Sequence, residues 1–111
     1  MKMAVDVRNL LFAVKIPAID SPVVNQLIRS SSSVAANYRA ATCARSDAEF
    51  LSKISLVLEE TDETKFWLDY LVRIKLLDEI KTQDLRNEVD ELVRLFSAIR
   101  KRMKEKLGKT K

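Results

Sequence analysis

An all-α, antiparallel up-and-down four-helix bundle is the fold this sequence predicts, on three observations. One Gly and two Pro in 111 residues are too few turn-formers for the closely spaced reversals of a sandwich or barrel. Hydrophobic residues make up 47% of the chain, which suits a packed single domain and not a disordered tail. The apolar positions recur at spacings of three and four, the period of a helix with one buried side. One domain is expected over residues 1–111, with a basic end from about residue 100 that frays after Gly108.

The first helix is expected over residues 3–16, where Val7, Leu10, Leu11 and Val14 share a face and Pro17 stops it. The second is expected over residues 21–43. Asp20 or Ser21 serves as its N-cap and Pro22 takes the first helical position. The run Ser30 to Ser33 has the composition of a flexible linker, but no Gly or Pro accompanies it and the apolar period resumes on both sides. The preferred reading is a helix whose small side chains let a neighbour pack closely.

The third helix, over residues 46–77, opens on Ser46-Asp47-Ala48-Glu49. There Ser46 and Glu49 form a capping box, and the acids favour the helix dipole. Its apolar stripe, from Phe50 through Trp67 to Val72, is broad enough for neighbours on more than one side. The fourth helix, over residues 82–107, carries Leu85, Val89, Leu92, Phe96, Ile99 and Met103 as a heptad seam. A tight reversal at Cys43–Arg45 sets the register of the second and third helices. It brings Arg29 opposite Glu59, Glu60 or Glu63, and Arg39 near Glu49, as interhelix polar pairs. A second reversal near Asp78–Lys81 brings Trp67 close to Leu92 or Phe96.

The residue inventory excludes most chemistry. There is no His and a single Cys, Cys43, so a catalytic triad, a Cys–His nucleophile and an intrachain disulfide are all excluded. The only Gly is Gly108, so no glycine-rich phosphate loop exists. The acidic patch Glu59, Glu60, Asp62, Glu63 lacks the His of a di-iron bundle and reads as pairing with arginines of the next helix. No cofactor or metal is expected. No apolar run approaches the roughly 18–20 residues of a membrane span, and the N-terminus lacks a signal peptide's long apolar region and cleavage site. A cytoplasmic location without membrane attachment is expected, which suits the lone thiol.

Charge is segregated along the chain. Residues 1–45 carry a net +4, residues 46–80 a net −5 and residues 81–111 a net +5. The last segment holds Arg100, Lys101, Arg102, Lys104, Lys106, Lys109 and Lys111. Cations at a helix C-terminus suit its dipole, and they are also the footprint of phosphate binding. Trp67, with Phe66 and Tyr70 nearby, reads as core, with base stacking as the alternative.

The stretch Gln26-Leu-Ile-Arg-Ser-Ser-Ser-Ser-Val-Ala-Ala-Asn-Tyr-Arg-Ala-Ala, then Ala44-Arg-Ser-Asp-Ala-Glu-Phe and Leu58-Glu-Glu-Thr-Asp-Glu-Thr-Lys-Phe-Trp-Leu, resembles a bacterial family. That family is the four-helix-bundle proteins first noticed as reading frames within 23S rRNA intervening sequences, whose members are often misnamed ribosomal proteins. A more distant similarity is to the accessory bundle protein of diversity-generating retroelements. The resemblance implies a ring-like homopentamer with no established enzymatic activity. Many members carry Glu where this chain has Ala40, and many have about ten more residues ahead of the segment like Ala4-Val5-Asp6-Val7. Residues and resemblance together lead to a non-catalytic, self-assembling bundle that binds RNA or a ribonucleoprotein through a basic face. The alternative is a protein–protein scaffold or adaptor with no nucleic-acid role.

Overall fold

The structure, a computed structural model, describes residues 1–109, with Lys109 described as backbone only. Four α-helices, α1 (Lys2–Phe12), α2 (Ser21–Thr42), α3 (Asp47–Arg73) and α4 (Gln83–Lys109), form an antiparallel bundle. Consecutive helices pack side by side and α4 returns to α1, whereas α1 and α3 stand diagonally opposite. The result is a rod of 52 × 21 × 21 Å. Among the described residues, no helix is long and apolar enough to cross a membrane.

α1 is shorter than expected. It ends at Phe12, and Ala18–Asp20 form a 3₁₀ turn that runs directly into α2. The cause is Pro17, whose ring would clash with the carbonyl of residue 13 and which forces Ile16 out of the helical region. Because α2 begins inside that turn, its N-cap Asp20 is already helical and makes no side-chain cap, and Pro22 is the second helical residue.

α3 ends at Arg73, not near Leu77. Lys75 takes a left-handed conformation, φ 63°. Its N–H donates to the Val72 carbonyl at 2.9 Å, and the Leu76 N–H donates to the Leu71 carbonyl at 3.0 Å. This is a Schellman closure with Lys at the position usually given to Gly. The earlier end moves the α3–α4 register by about one turn from expectation. Lys65 pairs with Asp90 at 3.1 Å and Arg100 Nε donates to Ser55 Oγ at 3.0 Å. Phe96 meets Tyr38, with ring centroids 5.8 Å apart. Trp67 lies one and two turns beyond Glu63 and Glu60, on the side of α3 turned towards α2. Its ring makes edge contacts with Phe66 and Tyr70.

The core runs the length of the rod through Val7, Leu27, Ile54, Val57, Leu68, Leu71 and Val89, all fully buried. The serine run is helical throughout. Ser30 and Ser31 are buried, and their hydroxyls donate to the Leu27 and Ile28 carbonyls. A small side chain that satisfies its own hydroxyl can sit where two helix backbones come close.

Candidate nucleic-acid interface

α4 ends beside the α2–α3 reversal, so the basic tract is part of an end of the rod shared by three helices. The tract is not one uniform face. Arg100 is half-buried and turned inward, its Nε on Ser55. Lys106 pairs with Asp47 at 2.9 Å, at the start of α3. Lys101, Arg102 and Lys104 are exposed and make no ion pair among the described residues. The Lys109 side chain and all of Lys111 lie outside the described residues. At about 100° per residue, Lys101 and Lys104 project on the α3 side of α4 and Arg102 on the α1 side.

The fold adds two cations from elsewhere in the sequence. Arg39, in the last turn of α2, and Arg45, in the reversal before α3, are both exposed at this end. Together with Lys101, Arg102 and Lys104 they form a cationic collar around the end of the rod. Neither belongs to the C-terminal tract, and only the antiparallel hairpin brings them to it. The charge segregation hinted at this, since residues 1–45 are also net basic.

Local hydrogen bonding fixes the collar's base. Ser46 Oγ accepts from the Glu49 N–H at 3.1 Å, and Glu49 Oε2 accepts from the Arg45 N–H at 3.2 Å. The capping box is therefore made one residue wide of its usual form, because the carboxylate reaches the amide before the cap rather than the cap's own. With Glu49 engaged there, the expected Arg39–Glu49 pair does not form, and Arg39 makes no ion pair among the described residues.

In the middle of the rod, Arg29 bridges α2 to α3. It lies 3.1 Å from Glu60 and also pairs with Glu63. The Glu63 hydrogen bond, above all, raises the Arg29 pKa. Glu59 takes no part in this cluster; it is exposed one position round the helix, pointing away from α2. No group of three or more His, Cys, Asp or Glu that could hold a metal occurs among the described residues.

A family model described as 23S rRNA-intervening sequence protein matches residues 2–98. A crystal structure of a protein of unknown function from the S23 ribosomal protein family of Bacteroides thetaiotaomicron is similar at 30% identity. The match covers 90% of this chain and 93% of that one, with a TM-score of 0.78. No curated protein matches.

Proposed function

This chain belongs to the 23S rRNA-intervening sequence protein family, and from that premise we propose that it is a non-catalytic, self-assembling bundle that binds RNA or a ribonucleoprotein through its cationic collar. The observation that carries this reading is the convergence of Arg39 and Arg45 with Lys101, Arg102 and Lys104 at one end of the rod. None of the five spends its charge on a carboxylate among the described residues. Exposed cations gathered at one end neutralise several phosphates at once, and the counterions they release drive binding without any base-specific contact. The acidic outer surface of α3 restricts the contact to that end. Assembly multiplies the collar, and multivalent display raises apparent affinity.

The test is fluorescence anisotropy with labelled single-stranded RNA, comparing the intact chain with a Lys101→Gln, Arg102→Gln, Lys104→Gln variant and with a chain ending at Ile99. Oligomeric mass is matched first by light scattering. The expected result is binding at about 50 mM salt that falls steeply by about 200 mM. The triple variant lowers the logarithmic salt slope by about 2, at about 0.7 per lost phosphate contact on a single strand. Equal binding by all three proteins, or no binding at low salt, overturns the nucleic-acid reading and leaves the scaffold or adaptor.

A further inference from the structure

The collar surrounds a recess. α1 starts level with Leu95, so α2, α3 and α4 alone build this end of the rod. Where they meet, the small side chains of Ala41 and Ala44 leave a cavity of about 340 Å³ between the α2–α3 reversal and α4. That falls within the roughly 300–1,000 Å³ of sites that hold small ligands. Phe50 and Met103 supply apolar walls. Both are half-buried, and Phe50 is fixed in place against the core.

The polar part of the lining is Thr42, Arg45, Ser46 and Asp47. Thr42 spends its hydroxyl proton on the Arg39 carbonyl at 2.7 Å, and Ser46 Oγ accepts from the Glu49 N–H. Asp47 carries a carboxylate, paired with Lys106 at 2.9 Å. A phosphate inside the recess would meet that carboxylate, so the interior does not suit an anion. The rim does. Arg45 stands on the wall, and Arg102 and Lys104 lie about 100° to either side of Met103 around α4. An apolar recess ringed by cations fits a molecule that is flat and uncharged in one part and anionic in the next. A nucleotide in a single strand is such a molecule. A base in a duplex must first unpair and leave its stack to enter.

We infer that the recess takes one unstacked base of a single-stranded RNA, laid against Phe50 and Met103, while the phosphates on either side of it lie on Arg45, Arg102 and Lys104. This rests on the nucleic-acid reading above and narrows it from any polyanion to a single strand. Every base has an aromatic face, so stacking tolerates base identity and the contact needs no sequence preference. The two parts of the site act separately. The cations set the salt dependence, and the recess sets a share of the affinity that salt does not remove.

The test is fluorescence anisotropy at about 50 mM salt with two labelled probes of equal length and phosphate number, a single-stranded RNA and the same strand with abasic sites along its middle. The intact chain is compared with Ala44→Leu, which fills the recess, and with Met103→Ala, which removes a wall. Neither variant loses a cation, and both are checked for unchanged helical circular dichroism and mass. The intact chain is expected to bind the abasic probe about ten-fold more weakly, the effect of one stacked base. Ala44→Leu is expected to bind both probes as weakly as the intact chain binds the abasic one, with the salt slope unchanged, and Met103→Ala to narrow the difference between them. No binding of either probe by the intact chain overturns the nucleic-acid reading itself. Equal binding of both probes by the intact chain leaves that reading standing and overturns the recess, whatever the variants do. A preference for the complete strand that survives in the folded variants shows that bases are held elsewhere, and overturns it too.

Discussion

Thr64 Oγ1 donates to Ser30 Oγ at 3.0 Å, and the two hydroxyls, both fully buried, form a direct polar contact between α2 and α3. Ser30 passes its own proton to the Leu27 carbonyl. Thr64 also has the Glu60 carbonyl within 2.8 Å. Each hydroxyl therefore keeps a partner when the other is removed, and what the pair protects is chiefly the short distance between the helices.

Thr64→Val, close in shape, is expected to cost about 1 kcal/mol or less. Ser30→Leu forces the backbones apart and is expected to cost about 1–3 kcal/mol. Urea unfolding checks the order through the transition midpoint, provided the slope is the same for all three proteins.

Lys75→Gly is expected to stabilise the protein by about 1 kcal/mol. A side chain in the left-handed region costs roughly 1–2 kcal/mol, and Gly returns part of this through its freer unfolded chain. A raised thermal midpoint is the readout. Unchanged or lowered stability would mean that the Lys75 aliphatic stem contributes packing that offsets its backbone strain.

How much of this was legible in advance depended on whether a signal was local. The four helices, the break at Pro17, the cap at Ser46 and the Arg29 register with Glu60 and Glu63 all follow from short-range patterns and a tight reversal. The end of α3 did not. Ile74-Lys75-Leu76-Leu77 continues the apolar period and contains no Gly, and the chain turns there because Leu77 is drawn into the core, 2% exposed. The shifted α3–α4 register descends from that one turn. At the candidate site, the seven C-terminal cations were visible as a run. The inward turn of Arg100 and the arrival of Arg39 and Arg45 depend on which helices meet, which no run of sequence displays.

Alkaline pH should loosen α1 from α4. Lys2 donates to Asp6 on its own helix and to Glu88 on α4. The Asp6 hydrogen bond first, and the Glu88 one next, raise its pKa above the ordinary 10.5. A raised pKa means that the folded state holds the proton more tightly than the unfolded chain. The contribution is therefore complete below the ordinary lysine value and is lost as pH rises through the higher folded value. The melting temperature of the natural chain should exceed that of Lys2→Met by a constant margin at lower pH, and the margin should close above about pH 10.5. A margin unchanged across that range would show that packing of the lysine stem, and not its charge, holds α1.

Trp67→Phe and Trp67→Ala should differ widely. The indole Nε1 is buried with no hydrogen-bond partner among the described residues, so exchanging it for Phe removes an unsatisfied donor and offsets some of the lost ring area. The expected cost is below about 1 kcal/mol for Phe and about 3 kcal/mol for Ala, the lower end for an aromatic truncation because the ring is only half-buried. Circular dichroism is the probe, since Trp67 is the only Trp and both variants lose the fluorophore. Equal costs would show that the N–H is satisfied in solution.

The half-length of α1 also grades the rod's resistance to opening. Near the 3₁₀ turn the core is four helices thick, and near the collar it is three. Backbone amides of Val24, Leu68 and Leu71 should exchange with deuterium only through global unfolding, whereas those of Ala41 and Met103 should exchange through smaller, more frequent openings. The cations are thus mounted where the core is thinnest. A polyanion held there would slow exchange first where the free protein is least protected, so isotope uptake maps that contact directly.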